Sequence, residues 1–296
     1  MEKYLWTQKQ DIGPPVRNSH VMSYHSSKER VLLFGGATST QNLGDTWEWD
    51  GHEWTEVADT GPSPRWGSAM TYDSSRKKSV LFGGNSLGGP ENDTWEWNGD
   101  EWTQVADTGP VARRYHRLAY DTKEHRVVLF GGETSSSFLN DTWEWDGHEW
   151  TEVADTGPSP RAYHMMTYDE SSKNVVLFSG FGQQQIPGDT WTWKDKKWKN
   201  VQDMGPGPLA SSSMVSTIYG VILFGGFNSI NNESNDNTWK WDGKYWSQSE
   251  DIGPSPRSNH AMAYHAKRDR VVLFAGGLAG VNVGDTWELK IESIPK

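Results

Sequence analysis

The sequence predicts an all-β protein made of repeated antiparallel units, and three observations support this fold class. A Gly-Pro dipeptide recurs every 48 residues, and an Asp/Asn-Thr-Trp motif recurs with the same spacing. Between these motifs, short segments alternate apolar and polar residues and are bounded by glycine and polar turn residues, whereas no segment has the period of a helix. The dipeptides begin at Gly13, Gly61, Gly109, Gly157, Gly205 and Gly253, and the tryptophan motifs begin at Asp45, Asp93, Asp141, Asp189, Asn237 and Asp285.

The period divides the chain into repeat units, and we therefore predict a single domain over residues 1–296. The units are 13–60, 61–108, 109–156, 157–204, 205–252, and 253–296 together with 1–12. A fixed period of this length is typical of propellers and solenoids, in which each unit is one supersecondary element. The units leave no stretch for a second domain or a long linker.

Each unit reads as four short strands, and the first unit shows the pattern. The segment from His20 to Tyr24 alternates apolar and polar residues, as a first strand would, and a polar turn follows it. The apolar run VLLFGG then predicts a second strand that ends at Gly35 and Gly36. After an eight-residue loop, DTWEW and EWTEV predict a third and a fourth strand, joined by a turn whose Gly51 tolerates positive φ. Four antiparallel strands per unit describe the blade of a β-propeller.

The two ends of the chain predict how the array closes. The sixth unit stops after DTWELK and lacks a fourth strand, whereas YLWTQKQ precedes the first Gly-Pro. Trp6 lies 48 residues before Trp54, the fourth-strand tryptophan of the first unit. We therefore predict a six-bladed β-propeller of four-stranded antiparallel blades, in which the N-terminal strand completes the last blade (1+3 closure) and no edge is left open.

Composition argues against several classes of partner. The net charge of −11 and the pI near 5.3 argue against nucleic acid and anionic membranes, which are bound by clustered lysine and arginine. The absence of cysteine excludes disulfides, thiolate metal sites and cysteine nucleophiles. Because the N-terminus lacks the apolar segment of a signal peptide and no 18-residue apolar run occurs, we expect a cytoplasmic protein. We also expect it to be a monomer.

The repeated motifs resemble those of the kelch repeat family over the whole chain. The resemblance rests on a Pro-Arg-x-x-His motif before the first strand, a double glycine after an apolar strand, and an aromatic pair on the third and fourth strands. It implies a kelch propeller, an architecture that commonly serves as an interaction platform. The chain departs from the family pattern where tryptophan replaces the usual third-strand tyrosine and where Ser179 and Ala275 replace the first glycine. The matching residues are Pro64 and Arg65; Pro160, Arg161 and His164; Pro256, Arg257 and His260; Gly35, Gly36, Gly83, Gly84, Gly131, Gly132, Gly225 and Gly226; Trp49 and Trp54; Trp97 and Trp102.

Most side chains that suggest chemistry recur at equivalent positions, which favours a structural role. Of 18 tryptophans, all but Trp66 occupy three repeat positions, as expected for packing between blades. The recurring carboxylates are interpreted as a solvated outer face, because a catalytic acid or base needs one special environment. They are represented in the first unit by Asp45, Glu48, Asp50, Glu53, Glu56 and Asp59.

The histidines allow two interpretations. Four of them share the position that opens the first strand, so a metal ring is conceivable, but ligands must lie about 2 Å from one ion and we favour a framework role. The other five fall in predicted turns and are expected to be exposed. The first set is His20, His116, His164 and His260, and the second is His25, His52, His125, His148 and His265.

No catalytic residue, metal site or cofactor is predicted. The nucleophile elbow, the phosphate loop and the zinc-helix motif are absent. The kelch resemblance includes copper oxidases, which need a cysteine that this chain lacks, and iron-binding relatives, whose ligand spacing no loop reproduces. The loop from Asn231 to Asn237 is rich in oxygen donors and leaves a cation site as an alternative, although it lacks the spacing of a calcium loop.

Functional information is expected where equivalent positions differ in content. The connections between the second and third strands, and the two residues that follow the repeated arginine, are almost all different. Antiparallel topology opens both segments on the same face, where aromatic and polar residues are mixed as in a recognition surface. The predicted ligand-binding residues are Asn18, Trp66, Asn85, Arg114, Tyr115, Glu133, Phe138, Tyr163, Phe181, Phe227 and Asn259.

Two functions of different classes follow from this surface. The first is a non-enzymatic module that binds a protein or peptide, which the kelch resemblance favours. The second is a carbohydrate-binding or sugar-epimerising protein, because the chain also resembles bacterial kelch propellers that epimerise sialic acid. In that case Trp66, Tyr115 and Tyr163 would stack on a sugar ring and Arg114 would hold a carboxylate. No acid/base pair is evident, so we favour the binding module.

Overall fold

A computed structural model describes residues 2–9, 12–183, 187–202, 205–249, 252–278 and 280–293. In these ranges the chain forms β-strands, turns and loops, and no helix. The strands of the first half are β1 (Glu2–Gln8), β2 (Val21–His25), β3 (Arg30–Phe34), β4 (Thr46–Trp49), β5 (Trp54–Ala58), β6 (Ala69–Asp73), β7 (Lys78–Phe82), β8 (Asn85–Ser86), β9 (Gly89–Pro90), β10 (Thr94–Trp97), β11 (Trp102–Ala106), β12 (Arg117–Asp121), β13 (Arg126–Phe130), β14 (Thr142–Trp145) and β15 (Trp150–Ala154). Those of the second half are β16 (Arg161–Ala162), β17 (Met165–Asp169), β18 (Asn174–Phe178), β19 (Phe181–Gly182), β20 (Thr190–Lys194), β21 (Lys197–Gln202), β22 (Leu209–Ala210), β23 (Ser213–Thr217), β24 (Gly220–Phe224), β25 (Phe227–Asn228), β26 (Glu233–Ser234), β27 (Thr238–Trp241), β28 (Trp246–Gln248), β29 (Ala261–His265), β30 (Arg270–Leu278) and β31 (Val281–Ser293).

The long strands form antiparallel four-stranded sheets, one for each repeat unit. Sheets 1 to 5 have the orders β2-β3-β4-β5, β6-β7-β10-β11, β12-β13-β14-β15, β17-β18-β20-β21 and β23-β24-β27-β28. In sheet 6, β31 pairs with β30 on one side and with the N-terminal strand β1 on the other, in the order β29-β30-β31-β1. The all-β architecture of four-stranded antiparallel sheets predicted from the sequence is confirmed.

The hydrophobic core lies between sheets. The second strand of each sheet is its most buried part, since Val31, Leu32, Leu33 and Phe34 of β3 have no exposed surface. Buried clusters join sheets 1 and 2, 2 and 3, 3 and 4, 4 and 5, and 5 and 6, and a further cluster joins sheet 6 to sheet 1. Each sheet therefore buries both faces against neighbours, which explains the continuous apolar runs in the sequence.

The fourth-strand tryptophans connect each sheet to the preceding one. The indole Nε1 of Trp102 donates a hydrogen bond to Thr46 Oγ1 at 2.9 Å, and that of Trp54 donates to Thr286 Oγ1 at 2.9 Å. Trp6 on β1 makes the same bond to Thr238, at 3.1 Å. These contacts agree with the structural role predicted for the repeated tryptophans, and they give Trp6 the position of a fourth-strand residue.

The interpretation of the repeated carboxylates as a solvated face is wrong for the aspartate of the tryptophan motif. The buried Arg17 guanidinium binds both oxygens of Asp45, at 2.7 Å each, and also donates to the carbonyls of Pro15 and Gly35. Burial acts to raise the pKa of Asp45, but its hydrogen bonds from Arg17 and Trp47 hold that pKa below its ordinary value. The equivalent pairs are Arg65–Asp93, Arg113–Asp141, Arg161–Asp189 and Arg257–Asp285. Glu96 and Glu288, at the position of Glu48, are also buried, whereas Glu53, Glu56 and Asp59 are exposed.

The histidine predictions are correct in part. His52, His125 and His148 are exposed, as expected. His25 and His265 are buried, and the expectation that they are exposed is wrong. Each is the last residue of a first strand, and His25 packs on Tyr72 of the next sheet with ring centroids 4.7 Å apart.

No helix within the described ranges is long and apolar enough to cross a membrane.

Candidate binding surface

The two kinds of variable segment meet at one end of the sheets. We call this end the loop face: it carries the connections from second to third strands and from fourth to first strands. The opposite end, with the remaining turns, is the turn face. On the loop face, Trp66 pairs with Asn85 in a β-bridge and Arg114 pairs with Glu133. Short ladders between β16 and β19 and between β22 and β25 make the same connection in units four and five.

Next to these bridges, a cycle of backbone hydrogen bonds links the six sheets. The N–H of Tyr115 donates to the Gly67 carbonyl at 2.7 Å, and the N–H of Tyr163 donates to the Tyr115 carbonyl at 3.0 Å. All members of the cycle have positive φ, between 55° and 67°. The other bonds run from Ser211 to Tyr163, from Asn259 to Ser211, from Ser19 to Asn259 and from Gly67 to Ser19.

Two tyrosines occupy this cycle although its backbone conformation suits smaller residues. Positive φ is tolerated by glycine and asparagine and is unusual for a bulky side chain. The rings of Tyr115 and Tyr163 stack, with centroids 3.7 Å apart and planes inclined by 25°. Burial raises the pKa of Tyr115, and burial together with Tyr115 raises that of Tyr163, so both phenols are neutral at physiological pH. Backbone strain of this kind is concentrated at functional sites.

Arg114 organises the charged part of the surface. Its Nε donates to Glu133 Oε1 at 2.8 Å and its Nη1 donates to Asn85 Oδ1 at 3.1 Å. Its guanidinium lies 4.9 Å from the ring centroid of Trp66, and that ring lies 5.2 Å from the ring of Tyr115. With Tyr163, these residues form one continuous group, which we call the Arg114 cluster: Trp66, Asn85, Arg114, Tyr115, Glu133 and Tyr163.

The remaining predicted residues fall into two further groups. Phe138 bridges Glu133 through the backbone and faces Phe181, with ring centroids 6.0 Å apart, so this pair adjoins the Arg114 cluster. Asn18, Phe227 and Asn259 instead line a separate depression of about 620 Å³ on the same face. The predicted set therefore divides into two regions of the loop face. Residues 184–186, in the variable connection of unit four, lie outside the described residues.

Sequence comparison of the repeats missed several highly exposed apolar side chains of this face. Leu87 is 99% exposed, Ile230 is 79% exposed and Val281 is 66% exposed, and all three lie in connections between second and third strands. Phe181 is 44% exposed. For Leu87 the available signal was a single large apolar residue within an otherwise polar loop, NSLGGPEN.

The four histidines that lie directly before the first strands behave as framework. Burial lowers the pKa of His20, His116, His164 and His260, and they are therefore neutral. His20 packs edge-on against Phe274 of sheet 6, with centroids 5.6 Å apart, and His116 packs similarly against Phe82. Over the residues that the structure describes, no three histidine, aspartate or glutamate side chains are grouped as a metal site would require.

Comparison with known proteins agrees with the repeat motifs. The model of the KLHDC2/KLHL20/DRC7 Kelch-repeats domain matches residues 96–276, more than half of the chain. The fold and the repeats define a β-propeller protein, and the chain belongs to the kelch-repeat family. A comparison with curated proteins found no match.

Proposed function

We propose that the six sheets are the blades of one six-bladed propeller, closed by β1, and that residues 1–296 form a single domain divided into the predicted units. Three features support this arrangement. The buried clusters join sheet 6 to sheet 1, the backbone hydrogen-bond cycle passes through all six units, and β1 pairs with β31 over seven residues. A propeller closed in this way leaves only the short outer strand of each blade as an edge.

We further propose that the protein is a non-enzymatic module that binds a protein or peptide on the loop face. The supporting observation is the distribution of exposed apolar side chains. Among the described residues twelve large apolar side chains are exposed, and eight of these belong to loop-face connections. Concentrated exposed apolar surface marks interaction sites in soluble proteins. The eight are Ile12, Val16, Leu87, Val111, Phe181, Ile230, Ile252 and Val281.

The turn face differs from the loop face in composition, and this difference favours the loop face as the binding surface. Its connections are rich in lysine, arginine, aspartate and glutamate, and they expose two large apolar side chains, Ile218 and Tyr245. The loop face combines apolar side chains with the aromatic and arginine residues of the Arg114 cluster, the residue types that carry most binding energy at protein interfaces. Kelch propellers generally bind proteins, in line with this proposal.

The Arg114 cluster counts against the carbohydrate alternative. A sugar carboxylate needs a cation that is available to it, whereas Arg114 is already bonded to Glu133 and Asn85. Stacking on a pyranose needs open aromatic faces, whereas Tyr115 and Tyr163 stack on each other. No feature of the described residues favours sugar binding over protein binding, and we propose no reaction.

The proposal can be tested by selecting peptides from a displayed library on the immobilised protein and measuring the affinity of the selected peptides. We expect the double variant Leu87→Ser/Phe181→Ser to weaken binding at least about tenfold, because truncating interface anchors usually costs more than about 1 kcal/mol each. Tyr163→Asn should also weaken binding, and the fold should persist because Asn259 holds the equivalent position with the same φ.

A matched control is Ile218→Ser/Tyr245→Ser, which removes exposed apolar side chains from the turn face. If binding is lost in this control and kept in the loop-face variant, the binding site lies on the turn face and the proposal is wrong. A glycan array probed in parallel addresses the alternative, and saturable sugar binding that needs Arg114 would favour it.

A further inference from the structure

The first strands of all six sheets surround an internal cavity of about 100 Å³. The residues that open the first strands are Val21, Ala69, Arg117, Met165, Ser213 and Ala261, and all of them line the cavity. A molecule of liquid water occupies about 30 Å³, so the cavity has room for a few waters or a small ion. Arg117 is the only charged member of this set, and no carboxylate lines the cavity.

Arg117 is half-buried and lacks the partners that the buried arginines have. Its guanidinium makes one hydrogen bond, from Nη1 to the His116 carbonyl at 3.2 Å. Within the described residues it has no ion pair, whereas its neighbour Arg113 binds both oxygens of Asp141 and two backbone carbonyls. Most of the N–H donors of the Arg117 guanidinium are therefore available to another ligand.

The surroundings of Arg117 are positive and contain a second donor. Burial is the main cause of the lowered pKa values of His116, His164 and His260, and the positive charge of Arg117 acts in the same direction on all three. Burial lowers the pKa of Arg117 itself to about 10, which leaves it charged at neutral pH. Ser213 Oγ accepts the N–H of Met262 at 3.0 Å, so its own hydroxyl hydrogen is available to the cavity.

We propose that this cavity binds a small inorganic anion, held by the Arg117 guanidinium and the Ser213 hydroxyl. A half-buried cation without a counter-charge is unfavourable, and an anion that accepts charge-assisted hydrogen bonds from it reduces that cost. The anion enters from the turn face through a wider opening of about 490 Å³. The opening and the cavity share the lining residues Met22, Met70, Leu118, Met166, Met214 and Met262.

The test measures the melting temperature as chloride, sulfate or phosphate replaces gluconate at constant ionic strength, since gluconate is too large for the cavity. A ligand that binds the folded state raises the melting temperature along a saturating curve. We expect this curve for the wild type with at least one probe, and its loss in Arg117→Met, which introduces the residue that unit four has at the same position. In gluconate, Arg117→Met should melt above the wild type, because it removes a half-buried charge that has no counter-charge.

Arg126→Met is the matched control. Arg126 also makes a single bond to the preceding carbonyl, from Nη1 to the His125 oxygen at 3.1 Å, but it lies on the turn face outside the cavity. It should keep the saturating response. An equal response in Arg117→Met and the wild type, or no response of the wild type to any probe, would overturn the proposal.

If Arg117→Met does not fold, calorimetric titration of the wild type and Ser213→Ala with the same anions is the deciding measurement. Ser213→Ala should weaken anion binding several-fold, and unchanged affinity would count against the site.

Discussion

At the scale of single residues, the repeated arginine and aspartate are one structural device. Each buried guanidinium is saturated by a carboxylate and by backbone carbonyls, as Arg113 shows with Asp141 and the carbonyls of Val111 and Gly131. Unit five lacks both partners, with Leu209 in place of the arginine and Asn237 in place of the aspartate. Losing one partner would leave a buried charge unpaired, so the joint replacement is the physically favourable one.

This pairing leads to a double-variant prediction. Arg113→Leu should lower the free energy of unfolding by about 3–5 kcal/mol, because the half-buried Asp141 carboxylate and the carbonyls of Val111 and Gly131 lose their donor. Arg113→Leu/Asp141→Asn should recover most of that loss, since it copies the combination present in unit five. Urea denaturation of both single variants and the double variant measures the coupling.

Exposed ion pairs supply the control for this experiment. Lys173→Leu, which removes the exposed partner of Glu170, should change the free energy of unfolding by less than about 1 kcal/mol. If the double variant loses as much stability as the sum of the single variants, the two residues are not coupled and their joint replacement in unit five has another origin.

The sequence could have predicted this pair, and it placed the members of the Arg114 cluster on one face, but it could not have predicted the contacts between them. Arg113 and Asp141 recur in register, so their joint absence in one unit is a visible signal. Arg114, Glu133 and Asn85 do not recur, and their contacts depend on backbone bridges between connections. Such bridges use main-chain groups and leave no side-chain pattern in the sequence.

At the scale of elements, the strands were predictable because burial imposes a clear pattern. The strand expected from His20 to Tyr24 is found one residue later, as β2, and the apolar run VLLF coincides with β3 apart from its first residue, Arg30. The short ladders β8–β9 and β25–β26 were not predicted. Apart from Phe227 they pair glycine, proline and polar residues, so the alternation of apolar and polar residues that marks a half-buried strand is absent.

The role proposed for β1 predicts the effect of removing it. Deleting residues 1–10 should lower the melting temperature sharply, because it exposes the edge of β31 and removes Trp6 from the cluster between sheets 5 and 6. Trp6→Ala alone should lower the free energy of unfolding by about 3–5 kcal/mol, the usual effect of truncating a buried tryptophan. Thermal and urea denaturation measure the two effects.

Lys3→Ala is the control for these two variants. It tests whether any substitution in β1 destabilises the protein, or only a change that removes the strand or its buried side chain. Lys3 is on the same strand but its side chain is exposed, so the variant should unfold like the wild type. An unchanged melting temperature after the deletion would contradict the closure by β1.

At the scale of the whole molecule, burial of six histidines couples the fold to pH. His20, His116, His164 and His260 lie directly before first strands, and His25 and His265 end them. All six are buried, and burial lowers their pKa values. For His260 the pKa falls to about 3. In the unfolded chain a histidine has a pKa of about 6.5, so below that pH the unfolded state binds protons that the folded state does not.

Stability should therefore fall as the pH falls below about 6.5, by up to about 1.4 kcal/mol per pH unit for each buried histidine. Urea denaturation between about pH 7.5 and about pH 5.5 measures this slope above the range in which carboxylates titrate. His116→Ser should reduce the slope by one histidine, and it should fold because Ser68 and Ser212 hold the same position and donate to backbone carbonyls at 2.9 Å. His148→Ser, at an exposed position, should leave the slope unchanged. Equal slopes in the two variants would show that the buried ring is protonated in the folded protein, contrary to its burial.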